Sequence, residues 1–412
     1  MQFSIGGTHK GEDGGEQNGT PKGSMPGNHR YKMVFGAVVL GMAIAAGIWI
    51  GGQYRQRKQA EAANAARQEV QDAGTLQDST NTLQEITTEI SPETGSVTYQ
   101  VNGVEAPGRP DIFASDHIRY NGVEYRRNTA VKAYLLLGAD THGDLDDLAP
   151  GDPYAENATD AIFLIAHDTA GNAVRVIQIP RDTMTLINTV DTKGQIDGQV
   201  IDHLSRAWAY GDGADFSGQL SMQAVSWLFA GLPIDGYFAG SMDLITNLND
   251  FVGGVPVTVR DAYMSKADPR FVQGQTVTLQ GDLAEKFVRY RDITEDYTAI
   301  TRMDRQRQYA IAFSNVLLSE QKKDNQTIPK MFQLIQDHVE TSMSKGEYLK
   351  TALDMASSGP LEDSDFEMVP GKSGQGEEIN PDTNESQVYD QFYPDDSGLD
   401  QLILTDFYRN VG

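Results

Sequence analysis

Three short apolar segments in the middle of this chain constrain its fold class before anything else does. VKAYLLLG (131–138), AIFLIAH (161–167) and AVRVIQI (173–179) are rich in aliphatic and β-branched residues and read as strands. Pro180 stops the third. DTAGN, between the second and third, is a turn sequence, so those two pair antiparallel. If the first also pairs antiparallel with the second, the three form an up-down-up meander. Asp140 after the first strand, Asp160 before the second and Arg181 after the third then share one rim. The patterns that follow are mainly helical. DHLSRAWAYG (202–211), QLSMQAVSWLFAG (219–231) and MDLITNLNDFVGG (242–254) are amphipathic and end at Gly. VPVTV (255–259) is a further strand, and MFQLIQDHVETSM (331–343) and YLKTALDMA (348–356) look helical.

The rest of the chain falls into non-globular and globular parts. Residues 1–32 are Gly-rich and polar and predict a disordered tail. Met33–Tyr54 is 22 residues without a charge, long enough to span a bilayer as a transmembrane helix. Ala43-Ile44-Ala45 resembles a signal cleavage site, but the 32-residue leader and the apolar run beyond it favour an uncleaved anchor. Basic residues flank the run on both sides, so the positive-inside rule does not orient it. Residues 55–128 read as a partly helical stalk followed by a hairpin linker, with Asn121-Gly122 as the turn. Globular sequence is expected from Thr129 to about 320. Residues 321–412 are expected as a helical, acidic extension packing on that core.

Composition excludes several functions. With no Cys there is no disulfide, thiolate metal site or cysteine nucleophile. A net charge of −25 argues against nucleic acid as a partner. Leu361–Asp400 carries twelve Asp/Glu against one Lys, which predicts a solvated surface.

Against that acidity, two basic clusters stand out. Arg289 and Arg291 are two apart in VRYR. On a helix they diverge by about 200°, whereas on an extended segment they share a face and can clamp a phosphate. Arg302, Arg305 and Arg307 follow, with Gln306 and Gln308 interleaved. Together with Asp140, Asp160 and Arg181 they suggest acids for a divalent cation and arginines for phosphates. No Ser-His-Asp order, zinc-type His spacing or phosphate-loop sequence competes.

These residues resemble a known family. IPRDT (179–183), preceded by LLLGAD (135–140), is similar to the LytR-CpsA-Psr family of membrane-anchored cell-wall proteins. AWAYGDG (207–213), GLPIDGYFAGSMDLITNLNDFVGGVPVTV (231–259), the segment ending in VRYR (279–291) and RMDRQ (302–306) match further family motifs in order. The resemblance covers about 129–320. It implies an α/β fold with a mostly antiparallel central sheet flanked by helices, facing the outside of the cell. It implies a phosphotransferase that moves a glycopolymer phosphate from an undecaprenyl-pyrophosphate carrier to peptidoglycan, with Mg²⁺ assisting and the lipid in an apolar pocket. Motif matching makes Asp140 and Asp160 the metal or hydroxyl-side acids. It makes Arg181, Arg289 and Arg291 the pyrophosphate ligands, adds Arg302, Arg305 and Gln306, and gives Asp182 the orienting of Arg181 or of a helix start.

The sequence departs from the family at three places. His142 stands where arginine is common. Ala158-Thr159-Asp160 lacks an arginine. Ala299 replaces an aspartate for which Asp296 is the available substitute. Fewer arginines weaken a phosphate field. Two alternatives therefore accompany the transferase: a non-catalytic module that binds polyprenyl-phosphate lipid, and a hydrolase that cleaves the pyrophosphate with water.

Overall fold

The computed structural model describes residues 83–412 apart from 95, 144, 146–147, 149, 152–157, 292–297, 336–337 and 380–385. The expected tail (1–32), transmembrane helix (33–54) and most of the stalk lie outside the described residues. Among the described residues no helix is long and apolar enough to cross a membrane.

The meander forms the centre. Strands β6 (Val131–Ala139), β7 (Thr159–Asp168) and β8 (Ala173–Ile179) pair antiparallel, with Leu136 opposite Phe163 and Leu164 opposite Ile177. β7 is buried on both faces along almost its whole length, which its uninterrupted apolar sequence requires. Three of the five pairings in this six-stranded sheet are antiparallel, as expected, but the sheet is mixed. β11 (Gly236–Gly240) lies parallel to β6, and β15 (Phe366–Met368) lies parallel to β8. Both return to the sheet after helical excursions, the crossover that parallel pairing needs. A short β14 (Val339–Thr341) closes the β11 edge antiparallel. It ends what the sequence presents as one helix over 331–343.

Helices cover both faces. Alternate residues of the meander point opposite ways, so Leu136, Phe163 and Ile165 face one cluster while Leu135, Leu137 and Leu164 face another. The short α1 (Arg206–Ala209) and the longer α2 (Asp215–Leu228) follow the hairpin of β9 (Met184–Val190) and β10 (Ile196–His203). The start of the helix expected at 202–211 is thus strand. Trp208 is fully buried in the core, as its apolar setting suggests. On the other face α3 (Asp243–Phe251), α4 (Met264–Ala267), α5 (Asp282–Arg289), α6 (Thr298–Lys323), α7 (Thr327–Ile335) and α8 (Lys345–Ser357) accompany the two-stranded β12 (Val255–Thr258) and β13 (Thr276–Leu279).

The expected hairpin with its Asn121-Gly122 turn is present, but it belongs to a sheet that begins well before Thr129, which corrects the reading of the described part of this region as stalk. β1 (Gln84–Ile90), β2 (Val97–Val101), β3 (Val104–Glu105), β4 (His117–Tyr120) and β5 (Val123–Arg127) form a second six-stranded sheet. Its edge strand β18 (Tyr408–Asn410) comes from the far end of the chain. In QEITTEI the β-branched residues and the buried Ile86 follow a two-residue rather than a helical period. The C-terminal region also holds more strand than expected. A ribbon of β16 (Gly371–Ile379) and β17 (Ser386–Pro394) precedes α9 (Asp396–Phe407).

Candidate active site

Register brings the rim residues together. Gly138 pairs with Ala161 and Ala139 with Thr159, so Asp160 is the extra residue of a bulge in β7, and the Asp140 amide donates to the Ala158 carbonyl at 3.0 Å. Asp140 and Asp160 thus stand at neighbouring strand ends, with Arg181 just past the end of β8. Within PRDT each residue has a local task. Pro180 ends the strand, and Thr183 closes the turn by donating its hydroxyl to the Pro180 carbonyl at 2.6 Å. Arg181 pairs through Nη1 with buried Asp160, and its Nε donates to Asp182 Oδ1 at 3.0 Å. Burial pushes the Asp182 carboxyl up, but Arg181, His203 and Arg302 outweigh it and hold the group well below the usual carboxylate range.

Arg289 and Arg291 straddle a helix end. Arg289 closes α5, and Tyr290 (φ −54°, ψ 130°) leaves the helix, so Arg291 lies beyond it. Arg305 on α6 fixes this corner. Its guanidinium donates to the Phe287 carbonyl at 3.1 Å and to the Tyr290 carbonyl, and it pairs with Asp261 at 2.6 Å. A cation among the last carbonyls of a helix is favourably placed. The grouping of Arg305 with the pyrophosphate ligands is therefore corrected: its fork is committed to carbonyls and Asp261, and it positions the Arg289–Arg291 segment instead.

Arg289 pairs with Glu285 one turn back, while its Nη2 is buried without an acceptor among the described residues. Burial lowers its pKa to about 10, with the nearby Asp140 charge pulling the other way. Arg302 is 3% exposed, and its Nε also lacks an acceptor among the described residues. Burial first, and then the Arg181 charge, push its pKa down to about 9. One turn along α6, Gln306 is 1% exposed. Arg302 and Gln306 line the same cavity as Asp160, Arg181 and Asp182, over a floor that includes Phe163 and Ile179. Gln178 Nε2 donates to the Met303 carbonyl at 3.1 Å and ties β8 to α6.

Several residues at this rim were not identified from the sequence. His203 lies 3.6 Å from Asp182 and 2.8 Å from Glu378 of β16. Asp390 of β17 pairs with Arg291. The acidic C-terminal stretch is thus not only solvated surface, and no local signal marks which of its acids turn inward. Ligand atoms of Asp202, His203 and Glu378 lie within 4.8 Å of one another. Arg206 already pairs with both carboxylates of this group, at 2.5 Å from Asp202 and 2.8 Å from Glu378. His142, at the family's arginine position, pairs with Asp243 at 2.8 Å and lies 3.8 Å from Glu285, the partner of Arg289. Asp296 lies outside the described residues.

The chain is 31% identical over 157 residues to the polyisoprenyl-teichoic acid–peptidoglycan teichoic acid transferase TagU of Bacillus cereus strain AH820, covering 38% of this chain and 43% of that protein. It is 30% identical over 217 residues to TagU of B. cereus strain ATCC 14579, covering 48% and 62%. The chain therefore spans less than two thirds of these curated relatives. Among solved structures, Lin1025 from Listeria innocua aligns over 67% of this chain and 96% of its own at 24% identity, with a TM-score of 0.44. TagV of B. subtilis aligns over 67% and 95% at 20% identity, with a TM-score of 0.46. The model of the LytR_cpsA_psr family matches residues 99–391, most of the chain, and this protein belongs to that family.

Proposed function

We propose that this protein is a membrane-anchored phosphotransferase. It moves a glycopolymer phosphate from a polyprenyl-pyrophosphate carrier, undecaprenyl in the family expectation, to peptidoglycan outside the cell. The observation that carries the reading is the buried Arg302, whose Nε lacks an acceptor among the described residues, in a cavity shared with Arg181. Burying a guanidinium is costly unless an anion compensates it. A pyrophosphate supplies that anion, and guanidinium forks match its oxygens. The TagU name supports glycopolymer transfer to peptidoglycan as the reaction class.

In this reading Arg181, Arg289, Arg291 and Arg302 bind the pyrophosphate, with Gln306 beside them, and stabilise charge as the phosphoryl group transfers. Asp140 and Asp160 are hard oxygen donors at adjacent strand ends, a set that fits Mg²⁺ together with substrate phosphates. When bound, the ion would neutralise phosphate charge. The uncharged run 33–54 would hold the domain at the membrane where its lipid-linked substrate resides.

The test is incubation of the protein with a polyprenyl-pyrophosphate glycan, Mg²⁺ and peptidoglycan fragments, with products resolved by mass. The expected product is a glycan-phosphate-peptidoglycan adduct, lost with chelator and in Arg289→Ala. Free phosphorylated glycan as the sole product would instead establish a hydrolase. Bound, intact substrate would establish a binding module.

A further inference from the structure

We infer that Asp390 sets the anion selectivity of the site. Its carboxylate competes for Arg291, so that a multiply charged pyrophosphate is admitted and a singly charged phosphodiester is released. This rests on Arg291 being a pyrophosphate ligand.

Asp390 lies on the ribbon β16–β17, whose strands pair with each other from Gly371–Pro394 to Ile379–Ser386. The ribbon is rooted at Phe392, which is 3% exposed, bridges to Thr183 and donates its amide to the Asp182 carbonyl at 2.8 Å. From that root the ribbon reaches two sides of the rim. Glu378 meets His203 and Arg206, and Asp390 meets Arg291.

The Asp390 pair is built for exchange rather than for support. Arg305 already fixes the backbone next to Arg291 through the Tyr290 carbonyl. The other Asp390 oxygen is approached by Gln375 at a long 3.4 Å. The Arg291 and Asp390 side chains remain 25% and 24% exposed, so an incoming anion can reach both. Partial exposure also keeps the pair weak enough to open.

Charge then decides what displaces the carboxylate. A pyrophosphate linking lipid and glycan carries two negative charges and engages the neighbouring Arg181 and Arg302 as well. Transfer breaks the P–O–P bond, so the polyprenyl phosphate departs as the leaving group and the glycan-acceptor phosphodiester formed carries one charge, the same as Asp390. Asp390 therefore yields to the substrate and returns against the phosphodiester, which favours release of that product.

The experiment is isothermal titration of inorganic pyrophosphate and of diethyl phosphate into the full chain, its Asp390→Asn and Asp390→Ser variants, and Arg291→Ala. Asp390→Asn is expected to bind diethyl phosphate about tenfold more tightly and pyrophosphate about threefold more tightly, so that discrimination narrows. Asp390→Ser should behave alike, and adding Arg291→Ala should erase the gain. Wild-type binding of pyrophosphate with no gain, or a loss, in both Asp390 variants would overturn the inference and leave Asp390 a structural partner. Failure of the wild type to bind pyrophosphate would overturn the reading of the arginines, and this inference with it.

Discussion

The Tyr99 hydroxyl donates to the carboxylate of Asp400 at 2.9 Å, joining residues 301 positions apart. Asp400 is fully buried, also accepts from the Tyr120 hydroxyl at 2.8 Å, and pairs with Arg109 at 2.5 Å. This knot binds α9 to the second sheet. Asp400→Ala would leave Arg109 with Asp396 at 3.7 Å as its remaining acid and two buried hydroxyls without their acceptor, and is expected to cost about 3–5 kcal/mol. Denaturant unfolding measures it, and a loss below about 1 kcal/mol would contradict the assignment.

Arg302 offers the opposite trade. Its burial is a cost that the ligand is expected to offset. Arg302→Met should leave the melting temperature unchanged or higher, while transfer falls about a hundredfold. A variant that melts lower and still turns over would show that Arg302 serves the fold.

Arg305→Lys tests the positioning role. Lysine can keep a pairing with Asp261 but not the two carbonyl bonds of the fork. The expected cost is about 2 kcal/mol of stability. Substrate affinity should fall with it, because Arg289 and Arg291 lose their fixed spacing. Unchanged affinity in a destabilised variant would confine Arg305 to a structural role.

Asp406 gives a pH signature. Burial, with Glu367 nearby, raises its pKa to about 7, and its Oδ2 has no hydrogen-bond partner among the described residues. A folded pKa above the unfolded one means that the native state binds the extra proton. Its contribution is thus fully present below the unfolded value of 3.8 and is lost as pH rises to about 7. Asp406→Asn should flatten the stability profile across that window and raise stability at pH 8. Parallel wild-type and variant profiles would refute the shift.

Much of the site was legible because it is local to strand ends. The meander, its turn and Pro180 place Asp140, Asp160 and Arg181 on one rim by register alone. The helix end between Arg289 and Arg291 was not legible, since their spacing suits both helix and extended chain. Arg305 shared a cluster with Arg302, yet three positions on one helix separate a residue facing the cavity from one facing a neighbouring helix end. Glu378 and Asp390 were hidden for a different reason. A solvated acid and one that turns back onto an arginine look alike in composition, and only the ribbon's root at Phe392 distinguishes them. The β4–β5 hairpin was legible from its Asn121-Gly122 turn, whereas β1–β3 were not, because those strands are short and largely exposed on one face.

The edge strand Tyr408–Asn410 and the Asp400 knot also set the order in which this molecule can be assembled. The second sheet is closed by a strand, Tyr408–Asn410, and its Arg109 is paired by an acid, Asp400, both far along the chain from it. Until they arrive, β5 offers an open edge and Arg109 a charge without its anion. Such long sequence separations slow folding. Closure of this sheet is therefore expected as a late step of folding, because it waits on contacts far apart in sequence.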